Sequence, residues 1–240
     1  MRAPSITIAL TGASLVIGGC HGSSTAAPEP AASAMIAIER GGEALSVPRT
    51  TGPIHIDGEL DEDDWRSAVR TGAFVDAHGG EARPFSDARF LTDDAAIYAV
   101  LYAADDDLRA TVKDHDGPVW MDSAFIVTLG LDAPGAPTFE IDVSAAGVVS
   151  DARRGKKGER DASWESGIEV AIDRDGTMND ASDEDEEWVV EARIPLVSLG
   201  ISSAKGARVR VALSRCDVPR AGGPRRCGSL GAGRTLVLGS

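Results

Sequence analysis

Nowhere in the 240 residues do roughly 18 apolar side chains follow one another, so no segment reads as a membrane-spanning helix. Positive charge is scarce: 24 Lys and Arg stand against 38 Asp and Glu, a formal net charge of -14. A nucleic-acid binder needs a net basic face to displace counterions from phosphate, so that class is excluded. Aromatic rings are few, with four Trp, two Tyr and five Phe to carry any stacking chemistry. Catalytic signatures are missing as well: there is no G-x-S-x-G, P-loop glycine pattern, H-E-x-x-H or G-x-G-x-x-G. The four His, at 21, 55, 78 and 115, have no neighbouring ligand at metal spacing and read as surface residues. Carboxylates are too plentiful for spacing to single out a glycosidase pair, since one acid of such a pair needs a raised pKa. The reading is a non-enzyme with no cofactor.

What is present suffices for a folded domain. Apolar residues make up 42% of the chain, enough for a packed core. The length predicts one domain, or two at most.

The N-terminus reads as an export signal. Arg2 precedes a short apolar stretch from Ile6 to Ile17, and Leu15-Val16-Ile17-Gly18-Gly19-Cys20 resembles a bacterial lipobox. That resemblance implies cleavage and lipidation at Cys20; the other reading is an ordinary secretory peptide with an incidental Cys. His21 rather than Asp after the Cys implies an outer-membrane destination. Residues 1–20 are thus assigned to the signal, 21–42 to a flexible tether with an entry strand, and 43–240 to the folded domain. The stretch from His21 to Ser33 is small, polar and proline-containing, as a tether should be. In an exported chain, Cys216 and Cys227, eleven positions apart, read as a disulfide. The competing metal pair has no other Cys or His close in sequence to complete it.

From Ile54 onward apolar residues alternate with period two. Ala88–Leu91 and Ile97–Tyr102 flank Asp93-Asp94 as a hairpin. Phe139–Val143 turns at Ala146-Gly147 into Val148–Ser150, and Ile168–Ile172, Trp188–Ile194 and Arg208–Leu213 repeat the pattern. The fold class is therefore all-β, an antiparallel, jelly-roll-like β-sandwich with short helical turns. A helix start is expected at Asp61–Trp65, with Asp61 as cap and Leu60 stapled to Trp65. Pro195–Gly200 is expected to form one further turn.

Acidic clusters lie at Asp105–Asp107 and Asn179–Glu187, where Asp183 and Asp185 could supply two oxygens to a structural calcium or simply be solvated turn acids. The basic run Arg153–Arg160 could meet an anionic polysaccharide or headgroup, or be a surface loop. Trp120 and Trp164 sit beside polar loop residues; each could present a flat face to a sugar ring or belong to the core.

Taken in order, these segments resemble the family 9 carbohydrate-binding modules. The resemblance rests on Ile56-Asp57-Gly58-Glu59-Leu60-Asp61-Glu62 with Trp65, Tyr98-Ala99-Val100, Trp120-Met121-Asp122-Ser123 and Phe139–Val143 with Gly147. It continues through Gly176–Asp180, Trp188 and Val190–Pro195, spanning about Thr51 to Leu238. It implies a β-sandwich that binds a terminal sugar between two Trp rings. It places Trp120 as the first ring and Arg153 as the basic group facing the hydroxyls; Asp122 could add a further polar contact or be structural. Two positions depart from the family pattern: Phe125 stands where a Glu is usual, and Leu230 where the second Trp is expected. The expected function is non-catalytic carbohydrate or polysaccharide binding by a monomeric, envelope-anchored lipoprotein. The alternative is an interaction lipoprotein that keeps the sandwich without the sugar site.

Overall fold

The computed structural model describes residues 43–219 and 224–239; the signal, Cys20 and the tether therefore lie outside the described residues. Within these, strands alternate with turns and no α-helix forms. The first half contains β1 (Ala44–Val47), β2 (Val69–Arg70), β3 (Ser86–Thr92), β4 (Ala96–Ala104), β5 (Ala124–Leu131), β6 (Thr138–Ser144) and β7 (Val149–Arg154). The second half contains β8 (Arg160–Asp161), β9 (Glu169–Asp175), β10 (Glu187–Pro195), β11 (Arg208–Asp217), β12 (Arg226–Ser229) and β13 (Arg234–Leu238).

One sheet runs β1-β13-β11-β5-β6-β7-β8, with β12 also paired to β11; the other runs β2-β3-β4-β10-β9. All pairings are antiparallel except β1 with β13. The expected antiparallel sandwich is thus observed. Period-two alternation sends Phe125, Val127 and Leu129 of β5 and Phe139, Ile141 and Val143 of β6 to the inner face. They meet Trp188, Val190 and Ala192 of β10 and Ile97, Ala99 and Leu101 of β4. Each fully buried large side chain there contributes roughly 1.5–3 kcal/mol.

The hairpin at Asp93 forms as expected, its Oδ1 accepting from the amides of Ala95 and Ala96. Cys216 and Cys227 lie opposite one another on β11 and β12 and form the disulfide. The expected helix at Asp61 is only a 3₁₀ turn, Asp63–Arg66, and Glu62 occupies the cap position without a side-chain bond to the turn, its Oε1 accepting from the His55 amide instead. The reason lies next door: Asp64 accepts from the amides of Thr51 and Gly52 and from the Thr51 hydroxyl, tying the turn to an upstream loop. Leu60 and Trp65 do pack into one cluster, with Ile54, Tyr98 and Val189, on the outer face of the smaller sheet.

Candidate functional site

Trp120 sits in a 3₁₀ turn, Val119–Met121, that leads into β5. Gly117 allows the approach, because a Cβ there would lie 2.7 Å from Val112 Cγ1 and 2.8 Å from the Asp114 carbonyl oxygen. Val119 is fully buried and anchors the turn, Trp120 is half-buried, and Met121 is 47% exposed. The Trp120 indole N–H is buried without a hydrogen-bond partner among the described residues. Such a donor is costly unless something meets it.

Asp122 fixes this turn from below. Its Oδ1 accepts from the Thr111 amide (3.0 Å) and hydroxyl (3.1 Å), and its Oδ2 from the Val112 amide (2.9 Å). The side chain is buried, so the structure gives Asp122 the work of holding the Trp120 turn against the preceding loop. That loop is pinned again by Asn179, whose side chain accepts from the Ala110 amide and donates to its carbonyl. Asp185 accepts from the amides of Leu108 (2.6 Å) and Thr177 (2.7 Å), so both of its own oxygens are engaged by backbone.

Beside the turn lies the outer face of the larger sheet. Because Ile141 and Val143 point inward, Glu140 and Asp142 point outward, together with Arg154 of β7 and Arg160 of β8. Arg154 approaches Glu140 at 3.7 Å. Arg225 donates to the Asp122 carbonyl (3.0 Å) and its charge also acts on Asp142, linking the Trp120 turn to this face. Asp142 is only 2% exposed, and its Oδ1 has no hydrogen-bond partner among the described residues. Burial, reinforced by Glu140, pushes its carboxyl well above the ordinary range despite Arg160, Arg154 and Arg225. A cleft of about 470 Å³, lined by Asp76, His78, Glu81, Arg83, Arg225 and Arg226, shares Arg225 with the Trp120 turn and is within the size range of small-ligand pockets.

Arg153 lies elsewhere. It faces inward on β7, opposite Phe139, and pairs with Asp161 at 2.9 Å. The Trp120 turn enters β5 where Ala124 meets Ser144, five residues further along β6, or about 17 Å of strand. The structure therefore brings Trp120 and Asp122 together and leaves Arg153 towards the other end. Phe125 and Leu230, where the sequence departs from the family pattern, are both core residues. Phe125 lies 6.2 Å from Phe74 and 5.1 Å from Trp188, ring centre to ring centre, so these positions form no open slot. Trp164 packs against Phe139, ring centres 4.9 Å apart and planes tilted by 38°, as part of the core margin.

The outward acids were not singled out in sequence. Their signal was the alternation Phe139-Glu140-Ile141-Asp142-Val143, which marks them as outward but not as buried. The basic run, read as one stretch, is divided by the pleat: Arg154 and Arg160 are opposed on the outer face.

No family model matches the sequence, and no curated protein matches it. Solved structures do share the fold. A candidate carbohydrate-binding protein from Bacteroides uniformis ATCC 8492 superposes with a TM-score of 0.62 at 12% identity, over 82% of this chain and 100% of that one. A family 9 carbohydrate-binding module from Caldicellulosiruptor kristjanssonii in complex with glucose gives 0.57 at 14% identity, over 82% and 97%. One from the same organism in complex with cellotriose gives 0.53 at 13% identity, over 82% and 95%. The fold is that of these modules.

Proposed function

We propose that this chain is a non-catalytic carbohydrate-binding domain of an exported lipoprotein, engaging sugar at the Trp120 turn and the adjoining outer face. The observation that carries the reading is Trp120 itself, a half-buried indole with an unpartnered N–H. The exposed part of the indole ring can stack on a pyranose, and its unpaired N–H would donate to any sugar hydroxyl oxygen that reached it. Arg225 and the Asp142 carboxyl supply hydroxyl partners nearby, and Asp122 positions the turn. Family 9 modules of the same fold hold glucose and cellotriose. Anchoring through Cys20 to the outer membrane, and action there as a monomer on envelope or external polysaccharide, complete the proposal. The Cys216–Cys227 disulfide suits an oxidising compartment.

The test is retention of the purified chain on a broad panel of neutral and acidic glycans. Binding should be found, and Trp120→Ala should remove most of it while the fold persists. A folded protein that is retained on none of the panel would overturn the proposal. A second reading, an interaction lipoprotein without a sugar site, is favoured by one observation: Phe125 and Leu230 fill the core. It predicts no glycan retention at all. Radiolabelled palmitate on the wild type but not on Cys20→Ala would support the anchor, and equal labelling would reject it.

A further inference from the structure

At the far side of the same loop, His115 and Asp116 meet Glu165. The His115 Nε2 lies 3.1 Å from Glu165 Oε2 and 3.7 Å from Asp116 Oδ2, and the three groups offer ligand atoms all within 4.8 Å of one another. Four-coordinate zinc with bonds of about 2.0–2.2 Å needs ligand-to-ligand edges of roughly 3.3–3.5 Å, the range these distances bracket. The acids are exposed and alone would mean little. A second observation comes from beneath them. Asp151 on β7 is 2% exposed and lines the same cavity of about 160 Å³ as His115 and Glu165. Its Oδ2 accepts from the Ser166 amide (2.9 Å) and hydroxyl (2.5 Å), but its Oδ1 has no hydrogen-bond partner among the described residues. Asp116 is oriented by the same strand, its Oδ1 accepting from the Asp151 amide at 3.1 Å and its Oδ2 remaining towards His115.

The geometry points to a binding site for a divalent transition-metal cation formed by His115, Asp116 and Glu165, with the buried, unpartnered Asp151 Oδ1 in the lining of the same cavity. One imidazole and two carboxylates suit zinc or manganese; the imidazole disfavours calcium and magnesium, which take oxygen donors. Bound metal would join the loop before Trp120 to the β8–β9 connection that carries Glu165.

The test is a calorimetric titration of the chelator-treated full chain with Zn²⁺, Mn²⁺ and Ca²⁺ in turn. One equivalent of Zn²⁺ or Mn²⁺ should bind ahead of Ca²⁺. His115→Ala and Glu165→Gln should each weaken binding by more than about 100-fold, beyond what loss of an outer partner costs. Both side chains are exposed, so unchanged circular dichroism will show that the variants remain folded. X-ray absorption of the zinc form should give a mixed nitrogen and oxygen shell. Preference for Ca²⁺, binding that survives both variants, or no binding below millimolar metal would each overturn the site. None of these outcomes depends on whether sugar binds.

Discussion

Both sheets bury a carboxylate on the outer face, and the two are treated in opposite ways. Glu191 on β10 is fully buried beneath the loop that carries Trp65. Its Oε1 accepts from the Trp65 indole at 3.2 Å, and its Oε2 from the amides of Gly58 (3.0 Å) and Asp57 (3.1 Å). Asp142 on β6 is as deeply covered, yet its Oδ1 meets no donor among the described residues. A carboxylate supplied with three donors is a fastener: it closes a loop onto a sheet. One that is buried and under-supplied weakens the fold, and such groups collect at functional sites. The difference agrees with the proposal that the outer face of the larger sheet is the one that meets a ligand.

The sharpest way to break this comparison is to remove both acids and compare the losses. Glu191→Ala leaves the Trp65 indole and two amides without their acceptor, at roughly 1–3 kcal/mol for each buried donor. Equilibrium urea unfolding should show a loss of about 3 kcal/mol or more, and Glu191→Gln, which retains an acceptor, should restore part of it. Asp142→Asn should cost less than about 1 kcal/mol, or stabilise, because it removes a charge that burial disfavours. Equal losses at the two positions would end the distinction.

A smaller and more specific effect lies in pH. The folded-state pKa of Asp142 is raised, so in the window above the ordinary value of 3.8 the folded state holds a proton that the unfolded chain has released. Stability from this group is therefore complete below that value and is lost as pH rises through the folded pKa. Asp105 acts in the same direction. Burial first, then repulsion from Asp217, outweighs the attraction of Arg215 at 2.6 Å and pushes its pKa up to about 7. Wild-type stability should therefore decline between about pH 4 and 7, at up to roughly 1.4 kcal/mol per pH unit for each such group. Asp142→Asn should make that decline shallower. A steeper or unchanged slope in thermal unfolding followed across this range would show that Asp142 is ionised in the folded state.

The strands were legible because alternation is a local property. Phe139–Val143 and Trp188–Ile194 declare their inner and outer faces within a few residues. Alternation does not say whether the outer residues meet water. Nothing in the alternation separates Glu140 and Asp142 from solvent-facing acids, yet both are buried, and the charges of Arg154, Arg160 and Arg225 act on Asp142. The disulfide was legible from two cysteines eleven positions apart, whereas Asp122, expected as a sugar contact, has both oxygens tied to the preceding loop. His115 looked solitary because Glu165, its nearest acid partner, is 50 positions away. Residues brought together by the sheet leave no spacing to read.

The smallest expected effect tests how far along the sheet the site extends. Arg153 and Asp161 form an exposed pair, 48% and 38% open to solvent, across the β7–β8 edge. Such pairs contribute about 0–1 kcal/mol because water screens them and two long side chains must be held still. Arg153→Ala should therefore leave unfolding nearly unchanged, so that any change in glycan retention reports on the ligand alone. With the site centred on Trp120, retention should change by less than about twofold, since the register sets Arg153 about 17 Å of strand from the end where that turn enters. A large loss of retention would mean that the bound chain runs along the sheet from Trp120 to the β7–β8 edge, making the ligand an extended oligosaccharide rather than a terminal ring.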